Sequence, residues 1–284
     1  MINNYKNKVA FQGERGAYSE EAAFKFFRNK IKTISYKYFS DVFKAVEKGE
    51  TDFGVVPIEN SLEGTVGQNY DLLLKSNLKI GGEIILKITH CLISNKEVSI
   101  KSIRRVYSHP QALGQCREFL EKLKVEIIPF SDTAGSVKMI KEKKLKDAAA
   151  IANEKAAKIY RMKILKKGIE KNHLNFTRFL IISKKEKKRT GKDKTSIVFS
   201  TKHTPGALFK ALECFAKRKI NLTKIESRPI IGKPWEYNFY LDFEGHQDEK
   251  IIKEVLKDLK KNILFLKIFG SYPYYPTTNE TSFC

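Results

Sequence analysis

Short apolar, β-branched runs alternate with stretches of helical period through the first 183 residues. Val9-Ala10-Phe11 predicts a strand. It leads through a turn holding Gly13 and Gly16 into a helix over 20–27, with Ser19 placed as its N-cap. A second strand is predicted over 31–36, then a helix capped by Ser40 whose apolar positions Val42, Phe43 and Val46 mark one face and which Gly49 stops. Residues 53–56 predict a third strand ended by Pro57, and 66–75 a helix. Residues 80–94 form an extended stretch too long for one strand of a small lobe, so it is expected to cross from one lobe to another. A second series of strands follows over 105–107, 125–129 and 148–151, each leading into a helix. Such alternation implies α/β lobes with parallel sheets and right-handed crossovers. The chain returns through 175–182, where Leu180-Ile181-Ile182 reads as a buried strand with Thr177 and Arg178 at its entry.

After a lysine-dense stretch the pattern changes. Residues 195–200, 222–228, 237–243 and 264–269 predict strands, with helices over 206–218 and 248–260. The order βαββαβ is the ferredoxin-like unit.

Among the 284 residues, 42% are apolar, enough for real cores, and the net charge is +22. That charge raises nucleic acid as a partner. The lysines, however, are scattered over helix faces and gathered in one run over 184–194, with no zinc-finger spacing and no RNA-binding aromatic signature. A positive field also favours capture of a small anion. Cys91, Cys116, Cys214 and Cys284 form no C-x-x-C pair, and His90 beside Cys91 would point to the opposite face of a strand. Scattered thiols, a polar N-terminus and no apolar run near ~18 residues predict a cytoplasmic protein that meets no membrane.

Candidate chemistry gathers at strand ends. Ser19 stands at a helix start, where backbone N–H groups favour anions. Ile58-Glu59-Asn60-Ser61-Leu62-Glu63-Gly64 follows an apolar strand, the usual place for ligands in open α/β sheets. His109, beside Pro110, reads as a helix cap or as a base; Gln111 and Thr133 begin helices. Taken alone, Thr177-Arg178 reads as a strand carrying one arginine in a structural salt bridge; in a cleft, the hydroxyl and the guanidinium become reactive and anchoring groups.

Seven segments in order resemble the prephenate dehydratase family with its C-terminal ACT regulatory domain. They are Gln12-Gly13 with Gly16-Ala17-Tyr18-Ser19, Pro57-Ile58-Glu59-Asn60-Ser61, Ser108-His109-Pro110-Gln111-Ala112-Leu113 and Asp132-Thr133-Ala134-Gly135. Thr177-Arg178-Phe179, Gly206-Ala207-Leu208-Phe209 and Glu226-Ser227-Arg228-Pro229 complete the set. The resemblance implies an α/β catalytic domain similar to type 2 periplasmic-binding-protein folds over 1–183, with lobe one about 1–85 plus 175–183 and lobe two about 86–174. It further implies a linker over 184–193, an ACT domain over 194–272 and a tail over 273–284. With the first strand near Val9, the chain looks monofunctional, without the chorismate mutase domain some members carry.

The implied reaction converts prephenate to phenylpyruvate, carbon dioxide and water, with no metal and no cofactor. Thr177 is the implied donor to the leaving hydroxyl. Asn60 and Gln111 are expected to orient substrate, and Glu59 to face a structural partner or tune the site. Arg178, Phe179, Ser61, Ser19, Thr133 and His109 are expected at the substrate. L-Phenylalanine is the expected effector, bound by Gly206, Ala207, Leu208, Phe209, Glu226, Ser227, Arg228 and Pro229 in a homodimer or homotetramer. Arogenate dehydratase is the neighbouring reading, and a non-catalytic two-lobed binding protein a remoter one.

Overall fold

The computed structural model describes residues 6–28 and 30–275. They form two compact units, one from the chain up to Asn69 with Ile84–Phe179, the other from Tyr70–Glu83 with Leu180 onward. Among the described residues, no helix is long and apolar enough to cross a membrane.

One sheet of the first unit is built on β1 (Asn7–Gln12), β2 (Ile31–Tyr36), β3 (Phe53–Asn60), the short β4 (Gly64–Thr65), β5 (Lys79–Lys87) and β11 (Phe176–Ser183). Their order is β2-β1-β3-β11-β5, with β4 on β3. Helices α1 (Tyr18–Phe27), α2 (Phe39–Lys48) and α3 (Gly67–Lys75) alternate with these strands. Strand β5 enters the unit at Ile84 and β11 leaves it after Phe179.

The other sheet runs β10-β6-β9-β7-β8. Its strands are β6 (Cys91–Ser94), β7 (Arg105–Ser108), β8 (Glu126–Pro129), β9 (Ala148–Ala152) and β10 (Lys163–Lys167), with helices α4 (Pro110–Gln115), α5 (Arg117–Leu123), α6 (Thr133–Glu142) and α7 (Glu154–Ile159). The central strand β9 is buried on both faces. Ala148, Ala150 and Ala152 pack with Val137 and Ile140 of α6, while Ala149 and Ile151 pack with Leu113 and Leu120. Burial on both faces is why it reads as an unbroken apolar run.

Several local expectations are corrected. Ser19 and Ser40 lie inside α1 and α2; the N-caps are Ala17 and Tyr38, neither with a side-chain cap bond. Glu20 does part of that work instead, its buried carboxylate accepting from the Gly16 N–H at 2.7 Å and the Thr33 hydroxyl at 2.8 Å. Strand β3 continues through Pro57 to Asn60; the ladder with β1 ends at Val55, so the missing N–H of Pro57 interrupts no bond there. The lysine-rich β10, unread in the sequence, pairs antiparallel with β6, and β6 pairs antiparallel with β9, so the sheet is mixed. Residues 80–94 divide into β5 and β6, which belong to different sheets. Gly16 has φ +92°, and a Cβ there would stand 2.8 Å from the Cα of Ala156, so only glycine lets the first βα turn rest on α7.

The second unit has the expected order: β12 (Asp193–Ser200), α8 (Ala207–Ala216), β13 (Leu222–Ile230), β14 (Lys233–Glu244), α9 (Lys250–Lys261) and β15 (Phe265–Pro273). The sheet order is β13-β14-β12-β15 and every neighbouring pair is antiparallel. Ile197, Phe199, Leu241 and Phe243 pack on Phe215 of α8 and on Val255 and Leu259 of α9. The end of α3 and the start of β5 also belong to this unit. Tyr70 packs on Tyr240 with ring centroids 4.5 Å apart. Lys267 donates to the carbonyl oxygens of Leu74 at 2.7 Å and Leu73 at 3.3 Å, closing the C-terminal end of α3 where cations are favoured. Cys91, Cys116 and Cys214 are free and buried. Cys284 and the tail beyond residue 275 lie outside the described residues.

Candidate active site

Strand β11 begins at Phe176, before Thr177, so Thr177, Arg178 and Phe179 lie within the strand and not at its entry. Alternation then sends neighbours to opposite faces. Thr177 and Phe179 line a cleft of about 510 Å³ inside the first unit; Arg178 does not. The cleft also holds Ser19, Asn60, His109, Gln111 and Thr133 from the sequence-derived set, and it is further lined by Tyr18, His90, Gln115 and Asp132. No Lys or Arg is among its lining residues.

Asn60 organises the reactive end. Its Oδ1 accepts the backbone N–H groups of Leu62 and Glu63, each at 3.0 Å. These donors leave no choice of amide orientation, so Nδ2 must face β11. Nδ2 donates to Thr177 Oγ1 at 2.9 Å, to Asn175 Oδ1 at 2.7 Å and to the Phe176 carbonyl at 3.1 Å. Thr177 is buried and accepts this bond; its own proton is engaged by no acceptor among the described residues. Asn60 therefore holds the threonine, and its expected role of binding substrate directly is corrected: both ends of its amide are taken by protein.

Two further expectations change. Arg178 Nη1 lies 3.9 Å from Glu59 Oε2, and neither residue lines the cleft. This corrects the expectation that Arg178 meets the substrate there. Ser61 is also outside the cleft. Its hydroxyl donates to the Leu174 carbonyl and accepts from the Phe176 N–H, both at 2.9 Å, and its own N–H donates to the Phe176 carbonyl at 2.8 Å. It clasps the approach to β11, and no helix starts there; α3 begins at Gly67. His109 is the N-cap of α4, with Nδ1 accepting from the Gln111 N–H at 3.3 Å.

Electrostatically the cleft is quiet. Burial lowers the pKa of His90 and of His109, opposed in the first by the Gln115 hydrogen bond and Glu170, and in the second by Asp132. Burial, reinforced by Glu21, pushes the Tyr18 phenol well above its ordinary range. Burial also raises Asp132, against the N–H groups of Gly135 and Glu14 that hold it down. The main attraction for an anion is backbone. The first turn of α1 has no side-chain cap and opens on the cleft, whereas α6, which starts at Thr133, is capped by Asp132, whose carboxylate accepts from the Gly135 N–H at 2.6 Å.

Sequence reasoning missed Tyr18, His90, Gln115 and Asn175 as site residues. Tyr18 and Asn175 stand beside chosen residues, and Gln115 lies one helical turn beyond Gln111. His90 carried no signal beyond its neighbour Cys91.

In the second unit, Gly206 adopts φ +78° and ends the approach to α8, with Phe209 exposed. Register places Ser200, Asn238 and Arg228 in one row across β12, β14 and β13, so the Glu226–Pro229 segment and the approach to α8 share one end of the sheet. Arg228 is already engaged: it donates to Asp71 of α3 from Nη2 at 3.0 Å and from Nε at 3.4 Å.

Fold and cleft define a class: a two-sheet α/β unit with a hydroxyl presented in its cleft, carried with a ferredoxin-like unit. Residues 9–187 match the family model of prephenate dehydratase, and residues 195–261 that of the ACT domain. The chain belongs to the prephenate dehydratase family. It is 46% identical to a bifunctional chorismate mutase/prephenate dehydratase of Aquifex aeolicus, over 94% of this chain and 74% of that one. It is 47% identical to arogenate dehydratase/prephenate dehydratase 2 of Arabidopsis thaliana, over 96% and 74%. Its fold superposes on the crystal structure of prephenate dehydratase from Arthrobacter aurescens in complex with L-Phe at a TM-score of 0.86, with 30% identity over 94% of this chain and 90% of that one.

Proposed function

We propose that this chain converts prephenate to phenylpyruvate, with Thr177 as the donor to the leaving hydroxyl. The observation that carries the reading is the Asn60 amide, which makes Thr177 Oγ1 an acceptor and leaves the hydroxyl proton for a ligand. As the ring C–O bond breaks, its electron pair leaves with oxygen, which takes up a proton and departs as water. The ring carboxylate departs as carbon dioxide, and the electrons of its C–C bond complete the aromatic ring. Donation in the transition state, where oxygen gains charge, is what raises the rate.

With no cationic side chain lining the cleft, the pyruvyl carboxylate is assigned to the N-terminus of α1, near Ser19, where no side chain caps the helix, with Thr133 and Gln111 as further donors. Weak holding of the second carboxylate suits a group that must leave as a neutral gas. Arogenate, the amino analogue, is the alternative substrate, favoured by the doubly named Arabidopsis relative. Steady-state rates on both compounds decide between them; no phenylpyruvate from prephenate and no phenylalanine from arogenate would sink the dehydratase reading.

L-Phenylalanine is the proposed effector, at the end of the βαββαβ sheet shared by Gly206–Phe209 and Glu226–Pro229. The phenylalanine-bound relative supports this, with Arg228 serving the site through its bond to Asp71 and not as a free ligand group. A homodimer or homotetramer is proposed, since β13 is an edge strand with Ile225 exposed on it, and Ile231 and Trp235 are exposed beyond it. Calorimetric titration should give millimolar or tighter phenylalanine binding; its absence removes the regulatory part and leaves the chemistry. The protein is proposed to be cytoplasmic.

A further inference from the structure

Behind Asn60 the hydrogen bonds continue in one direction. Asn175 Oδ1 receives a proton from Asn60, so its Nδ2 faces onward and donates to Gln115 Oε1 at 2.8 Å. Gln115 Oε1 is therefore an acceptor, and it lies 2.8 Å from His90 Nε2. Two acceptors cannot share that contact, so His90 Nε2 must carry the hydrogen. The other ring nitrogen, Nδ1, is then an acceptor 3.0 Å from the Tyr18 hydroxyl, whose single proton is shared between Nδ1 and the Thr89 carbonyl, to which it donates at 2.8 Å. The ring is further placed by the His90 N–H, which donates to Glu170 at 2.9 Å. Backbone N–H groups at Leu62 and Glu63 thus set the sense of every donor from Asn60 to His90, residues drawn from four separate stretches of the chain.

We propose that Asn175, Gln115 and His90 are positioning residues for Thr177, forming a polarised amide–imidazole relay that keeps the Asn60 amide aimed at Thr177 Oγ1. None of the three needs to touch the reacting atoms. Asn175 supplies the acceptor for one proton of the Asn60 amide, so that the other stays on the threonine. Gln115 holds Asn175 in that sense, and His90 in its Nε2–H tautomer holds Gln115. The inference rests on the reading of Thr177 as the donor; the relay itself has a readout that does not involve turnover.

The test is histidine nitrogen NMR of the full chain, with His90 assigned by the signals lost in His90→Gln. Wild-type His90 should be the Nε2–H tautomer. In Asn175→Asp the second carboxylate oxygen accepts where an N–H donated. Gln115 must then turn its amide, and its Nε2 faces His90, which must move its hydrogen to Nδ1 with Tyr18 accepting. A wild-type Nδ1–H tautomer, or an unchanged tautomer in Asn175→Asp, overturns the relay. Asn175→Ala should lower kcat about tenfold, the scale of one lost positioning hydrogen bond, with KM within about twofold. Unchanged kcat there, with the tautomers as stated, overturns the positioning role.

Should the Asn175 variants not fold, His90→Gln keeps an N–H for Gln115 and should retain most turnover, while His90→Leu should lose it. Equal turnover in those two variants counts against the proposal. Thr177→Ala is the separate control. Normal turnover in that variant removes the donor reading itself and leaves the His90 tautomer where the relay puts it.

Discussion

The two units each bury a polar cluster, and they close it differently. In the second unit Lys194 Nζ meets Glu83 Oε1 at 2.9 Å with both side chains almost fully buried. Ser196 bonds Asp242 and Tyr272, each at 2.6 Å. These groups answer one another with charge and hydroxyl, and such a cluster fixes one packing. In the first unit the line from Thr177 through Asn60, Asn175 and Gln115 to His90 is joined by amide, hydroxyl and imidazole groups, with carboxylates only at its margin, Glu170 on the His90 N–H and Glu63 on Gln115. Thr177 lines the cleft, and its hydroxyl proton has no acceptor among the described residues. The contrast teaches that a buried polar cluster marks a reactive site by what it leaves unengaged, while a fully paired one marks structure.

The sharpest way to break this comparison is Thr177→Ala. Removing the donor should cost ~10²-fold or more in kcat with KM little changed, and thermal stability should barely move. Near-normal kcat would put the two clusters in one structural category. Lys194→Met should do the reverse. It leaves Glu83 buried without its cation, so stability should fall by roughly 3–5 kcal/mol while kcat per folded molecule stays constant. Denaturant titration beside initial rates checks both halves, and the double change with Glu83→Leu should regain much of the loss.

Arg178 sharpens the comparison within one strand. Because it faces Glu59 and not the cleft, Arg178→Lys should leave KM within about twofold, the loss being that of one ion-pair geometry. A tenfold rise in KM would return Arg178 to the substrate.

The smallest effect concerns acid. Two hydrogen-bonded cations, Lys261 first and then Arg218, hold Asp258 of the second unit down at about 2. A depressed carboxylate contributes stability that is present above its unfolded pKa and is lost as pH falls through the folded one. Asp132 in the cleft is raised, by burial first, so its contribution has the opposite sign: it favours the fold at low pH and fades as pH rises through the carboxylate range. Asp258→Asn should therefore flatten, and Asp132→Asn steepen, the loss of stability on acidification towards about pH 2. Melting temperatures across that range measure it, and the same slope in both variants would contradict the signs.

Much of this was legible in the chain. Alternation and helical period located most strands and helices, and the ferredoxin-like order of the second unit needed only the sequence of its elements. The Thr177 segment stood out because a hydroxyl beside a guanidinium, flanked by phenylalanines, is an unusual way to begin an apolar strand. What misled was where the strand starts. With Thr177 and Arg178 taken as the point where the chain enters the strand, both could be expected at one ligand. With β11 beginning at Phe176, a period of two forces them apart. The rule that separates His90 from Cys91 applied here as well, once the strand's first residue was known.

The sequence by itself determined most of the elements, the family and the segment that carries the proposed donor, because propensity, period and short motifs are local properties. Only the tertiary structure decided which face of β11 is the cleft and that Ser61 clasps backbone. It alone brought Asn60, His90, Gln115 and Asn175 into one line of hydrogen bonds. A hydrogen bond reaches about 3 Å, and these residues meet only after the end of β3, the end of α4 and the loops just before β6 and β11 have been brought to one place. No spacing along the chain encodes that meeting.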